Sequence, residues 1–82
     1  MKLGAQLLAL LAKVYKPSSM IETTFQRYDI AFKTDEQGRP ILLYIGRREP
    51  GGKIKGERFT RRLLTTADGL IIKDHWDNKG KA

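Results

Sequence analysis

The sequence predicts an α+β domain, an N-terminal amphipathic helix packed on a four-stranded antiparallel β-meander. Three observations carry this reading. Leucines recur at helical spacing near the start of the chain. Further on, apolar and polar residues alternate as they do in half-buried strands. The alternating runs are separated by short breaker segments, TDEQGRP at 34–40, EPGG at 49–52 and TTADG at 65–69. Connections this short make hairpins, so successive strands run antiparallel.

The helix is expected over residues 3–16. Leu3, Leu7, Leu10, Leu11 and Val14 form its apolar stripe, which Leu8 and Tyr15 widen. Alanine and leucine are strong helix formers. Lys13 and Lys16 suit the negative pole of the helix dipole, and Pro17 disfavours a helical residue before it. A secretory signal is the competing reading, with Lys2 as the charged region and residues 3–12 as the apolar one. Gln6 interrupts that run, Lys13 and Lys16 follow it directly, and no A-x-A-like cleavage site is present. A membrane-spanning helix needs about 20 apolar residues, roughly twice this run. The chain therefore reads as cytoplasmic with no transmembrane segment; export is the alternative if residues 1–12 act as a signal.

Residues 20–33 carry two competing periods. Ile21, Phe25, Tyr28 and Phe32 fall at helical intervals, and Ser19 and Glu22 have capping-box spacing. Tyr28, Ile30 and Phe32 also alternate, and the β-branched and aromatic residues around them favour a strand at 24–33. The remaining strands are expected at 41–48, 53–64 and 70–76, with Gly56 as a bulge candidate. The sheet thus covers 24–76, and DNKGKA at 77–82 reads as a flexible basic tail.

Alternation assigns faces. Tyr28, Ile30, Phe32, Ile41, Leu43, Ile45, Phe59, Leu63, Leu70, Ile72 and Trp76 should lie under the helix. The opposite face should then be basic, with Asp29 its only acid. Arg61 falls on the helix side and threatens the phase of this assignment.

The bulk composition bounds function. The 82 residues allow one domain with a thin core. Without cysteine there are no disulfides and no thiolate metal sites, which points to a reducing compartment. A hydrophobic fraction of 40% argues against disorder. A net charge of +7 favours polyanionic partners.

Arg47, Arg48, Lys53, Lys55, Arg58, Arg61 and Arg62 crowd one stretch of the chain, offset by Glu49 and Glu57. Cations bind phosphate, and an exposed aromatic ring can stack a base. The candidate contacts to RNA or DNA are Arg27, Tyr44, Arg48, Arg58, Arg62 and Lys73. The bland reading is a solvated sheet face whose charges resist aggregation. The alternating glycine and aromatic pattern of RNA-recognition motifs is absent. A second functional class is an accessory or interaction protein, with an acidic protein or a second copy of itself as partner.

Other chemistry is weaker. His75 is the only imidazole, and with acids and cations nearby it could serve general acid–base cleavage of RNA. Asp74 and His75 point to opposite faces of a strand, so their adjacency makes no dyad. Asp35, Glu36, Asp68, Asp74 and Asp77 lack the ligand spacing of a calcium loop. Gly51-Gly52-Lys53 lacks the spacing of a phosphate-binding loop. The sequence calls for no metal and no cofactor, and a binding domain is favoured over an enzyme.

Overall fold

The computed structural model describes residues 3–81. One short helix, α1 (Ala5–Leu11), precedes five strands: β1 (Met20–Phe25), β2 (Tyr28–Thr34), β3 (Pro40–Arg48), β4 (Ile54–Thr65) and β5 (Ile71–Lys81). The strands lie in sequence order in one antiparallel sheet. The α+β class stands, but with five strands rather than the expected four.

The additional strand comes from residues 20–33, where neither a helix nor one continuous strand forms. Phe25 pairs with Tyr28 across a two-residue turn, and Gln26 takes a left-handed conformation with φ of 55°. Ile21, Phe25, Tyr28 and Phe32 therefore share a face because β1 folds back on β2, with Ile21 opposite Phe32. The expected bulge at Gly56 is also displaced. Gly56 pairs directly with Gly46, and the register shifts instead near Lys33, between Glu57 and Phe59, and next to Thr65.

The core forms where α1 crosses the sheet. Leu7 and Leu11 pack on Ile30, Phe32, Leu43, Ile45 and Phe59, ringed by Leu3, Leu10, Tyr15, Ile21, Phe25, Tyr28 and Trp76. Leu8, on the outer side of α1, is 40% exposed, so the helix is not cleanly divided into apolar and polar sides. Leu70 and Ile72, expected in this core, are exposed instead. β4 pairs with β3 only as far as Thr60, so the β4–β5 hairpin runs past the area the helix covers.

The helix ends at Leu11 rather than at residue 16, because side chains take its last carbonyls. The Tyr15 hydroxyl donates to Leu10 O at 2.7 Å, and the Tyr15 ring lies 4.9 Å from that of Phe32. Tyr15 N–H turns to Gly38 O at 2.8 Å. Lys13 and Lys16 lie beyond the helix, and no basic residue occupies its last turn. The positive charge at that pole comes from the sheet.

That charge is Arg61. Its Nη1 donates to Leu11 O at 3.2 Å and to Pro40 O at 3.1 Å, while Nε and Nη2 form a fork on the Asp74 carboxylate at 2.7 and 2.6 Å. The guanidinium also stands 5.6 Å from the centre of the Trp76 ring, and its side chain is only 6% exposed. The phase of β4 is therefore as expected. Arg61 faces the helix because it caps it.

A second fastening joins the segment after α1 to the β2–β3 loop. The buried Thr34 hydroxyl accepts from Ser19 N–H at 2.9 Å and lies 2.7 Å from Lys16 O, to which it donates. Asp35 accepts the backbone N–H groups of Gln37 and Arg39 and the Nε of Arg39, each at 2.9 Å. Gly38, at φ +82°, packs so close that a Cβ would lie 2.1 Å from Tyr15 O. The expected flexible tail is also revised. Residues 77–81 continue β5, with Asp77, Asn78 and Lys81 paired to Thr60, Phe59 and Glu57. Ala82, and the Lys2 of the signal reading, lie outside the described residues. No helix is long and apolar enough to cross a membrane among the described residues.

Gly38→Ala is expected to destabilise the fold by about 2–3 kcal/mol in denaturant unfolding, since a side chain there is strained and sterically blocked. Arg61→Lys keeps the charge but loses the fork, and should cost roughly 2 kcal/mol. The hydrogen bonds from Arg61 hold the Asp74 carboxyl below its ordinary value of 3.8, outweighing the opposing effect of burial. A depressed folded-state pKa stabilises the fold above the ordinary value and is lost as pH falls through the lowered one. The stability gap between the wild type and Asp74→Asn should therefore be full near neutrality and shrink below about pH 4. Unfolding midpoints measured across that range check it.

Candidate nucleic-acid interface

The sheet face opposite α1 is read off the register. Glu22, Ala31, Tyr44 and Arg58 stand side by side across four strands. The next row toward the β3–β4 turn holds Thr24, Asp29, Gly46 and Gly56. A Cβ on Gly46 would lie 2.1 Å from Lys55 O, and one on Gly56 2.1 Å from Ile45 O. This close approach of β3 and β4 admits only glycine at both positions, and it lies beside Tyr44 and Arg58.

An open groove of about 670 Å³ occupies this end of the face. Met20, Ala31, Tyr44 and Ile54 supply its less polar surface. Arg48, Lys53, Lys55, Arg58 and Lys81 line it alongside two acids, Glu22 and Glu49. Among the described residues, Lys53, Lys55, Arg58 and Lys81 have no carboxylate within ion-pairing distance.

The expected contact residues separate into three groups. Tyr44 and Arg58 sit together in the groove, as direct cross-strand neighbours. Arg48 and Arg62 lie on the same face but are already engaged. Arg48 Nη1 reaches Glu22 Oε1 at 3.1 Å and Gly52 O at 3.0 Å, and its backbone N–H donates to Asp29 Oδ2 at 2.8 Å. Arg48 thus braces the β3–β4 turn. Arg62 Nε donates to Asp77 Oδ2 at 2.8 Å. Arg27 and Lys73 lie outside the groove, Arg27 in the β1–β2 turn and Lys73 opposite Leu64 near the far end of the sheet.

Asp29 is not the only acid on this face, as the sequence had suggested. Glu22 arrives on β1 and Asp77 on the extension of β5. Asp77 also places Oδ1 3.0 Å from His75 Nε2, so it bridges His75 and Arg62. As expected from alternation, Asp74 turns to the other side and serves Arg61. No cluster of three or more metal-ligating side chains occurs among the described residues.

Lys53, Lys55 and Lys81 are the cations lining the groove that the expected set lacks. Lys53 and Lys55 stood in the basic run, and their place beside the turn could have been inferred from EPGG. Lys81 has no such signal, because DNKGKA carries no strand-forming residue types. Compared with known proteins, the chain matches no family model, no curated protein and no solved structure.

Arg48→Ala is expected to loosen the β3–β4 turn without unfolding the sheet. Amide exchange of Glu49 and Gly52, whose N–H groups close the turn, should quicken while that of Phe32 and Leu43 is unchanged.

Proposed function

We propose that this chain binds single-stranded nucleic acid, RNA or DNA, along the open sheet face, with Tyr44 as a stacking platform and Arg58, Lys53, Lys55 and Lys81 as phosphate contacts. One observation carries the reading. The groove around Tyr44 is lined by four cations without a carboxylate partner among the described residues, and Tyr44 and Arg58 stand on the side of the sheet that α1 leaves open. A cation-lined groove beside an aromatic ring follows a phosphate backbone and stacks its bases, without reading sequence. A duplex keeps its bases stacked inside and offers Tyr44 no face, so single strands are favoured.

Fluorescence anisotropy with mixed-sequence single-stranded oligonucleotides tests it. Binding should weaken with salt along a log–log slope of about −3, as four phosphate contacts require. Arg58→Glu should weaken binding and flatten the slope. Tyr44→Ala should cost about 1–3 kcal/mol of affinity and leave the slope unchanged. Arg62→Gln, which removes a cation already held by Asp77, should matter little. Absence of binding to both RNA and DNA single strands at low salt would sink the proposal.

A further inference from the structure

The outer end of the β4–β5 hairpin takes no part in the groove, and its composition differs from the rest of the chain. Beyond Thr60, β4 has no β3 partner, so residues 61–65 and 71–76 pair only with each other. This arm exposes Leu64 (54%), Leu70 (63%), Ile71 (50%) and Ile72 (63%). Exposed apolar side chains gathered this closely mark a contact surface. A two-stranded ribbon is marginal in water by itself, and β5 lies at the edge of the sheet.

Charge selects the occupant. Over residues 61–77, Arg61, Arg62 and Lys73 are matched by Asp68, Asp74 and Asp77, so the whole net charge of +7 lies elsewhere in the chain. An electroneutral arm does not attract a polyanion. Nor is it built to enter a membrane tip-first. Its tip is a polar turn in which the Thr66 hydroxyl donates to the Asp68 carboxylate, and burying that carboxylate in hydrocarbon is costly. A second copy of this chain fits the pattern. Two bodies of like charge repel, but the neutral arm projects away from the basic groove along a molecule 43 Å long. Arm-to-arm contact buries the apolar side chains while keeping the cations apart.

We infer that the β4–β5 arm is a self-association surface, on which two copies pack arm against arm with Leu64, Leu70, Ile71 and Ile72 at the contact. This inference is independent of nucleic-acid binding, although a dimer of this kind carries two grooves on one particle and gains avidity for a long strand.

Sedimentation equilibrium on the nuclease-treated full chain tests it. The wild type is expected to be a dimer at micromolar concentration. Ile71→Thr with Ile72→Thr keeps β-branched side chains in the strand and should raise the dissociation constant by roughly 100-fold. Arg58→Glu should leave that constant unchanged, which separates this inference from the groove reading. Should the double variant not fold, the wild type still decides: protection of residues 71–76 from hydrogen exchange should rise with protein concentration. A wild type that stays monomeric, a dimer indifferent to the double variant, or one dissociated by Leu8→Thr on the helix would overturn the inference. So would sedimentation with phosphatidylserine vesicles that is lost in the double variant.

Discussion

The Arg61 guanidinium is the contact on which the rest of this structure depends. A seven-residue helix is too short to hold itself together in water. Leu7 and Leu11 give it a seat on the sheet, but its C-terminal carbonyls still need donors. Arg61 supplies one from the middle of β4 and uses the same nitrogen for the carbonyl of Pro40 at the start of β3. Its remaining two contacts hold Asp74 on β5. One side chain therefore joins the helix, the central sheet and the edge strand. The geometry needs arginine, because a lysine ammonium cannot form a planar fork and reach two carbonyls as well. A guanidinium this buried needs a counter-charge, and Asp74 provides it.

β4 shows how one stretch of sequence serves two purposes. Within RFTRR the residues alternate, so Phe59 and Arg61 face the helix while Arg58 and Arg62 face the open side. The basic run is thus divided by the pleat. One cation is spent on holding the helix, and its neighbours remain on the face that bears the groove. Counting charges along the chain overstates the interface for this reason.

The parts of the fold legible in the sequence were those with strong local signals. EPGG and TTADG marked their turns, and the alternation from Ile41 to Phe59 gave the right faces. β1 was missed because its turn is Gln26-Arg27, with no glycine, asparagine or aspartate to announce a left-handed residue. The end of β5 was missed because DNKGKA has no strand-forming residue types, and only its pairing with β4 makes it a strand. Both errors had the same effect on the site. The unseen β1 carried Glu22 to Arg48, and the unseen end of β5 carried Asp77 to Arg62. Partners that neutralise surface cations come from strands distant in sequence, so a site built from cations is harder to read than a core built from alternation. Tyr44 and Arg58 were legible together because they lie on adjacent, well-marked strands.

The placement of acids also gives the molecule its polarity. Asp68, Asp74 and Asp77 all belong to the β4–β5 arm or the strand leaving it, where each contacts a group of the same hairpin. At the other end, around the β3–β4 turn, Lys53, Lys55, Arg58 and Lys81 are left without such partners among the described residues. A chain with a thin core gains little by leaving like charges clustered, since their repulsion opposes the compact state. Neither of the two fastenings uses that cluster: the helix is held by Arg61 on the other face, and the β3–β4 turn is braced by Arg48. The cations thus collect at the end of the molecule remote from its neutral apolar arm, and the pairing of acids within the β4–β5 hairpin is what separates the two.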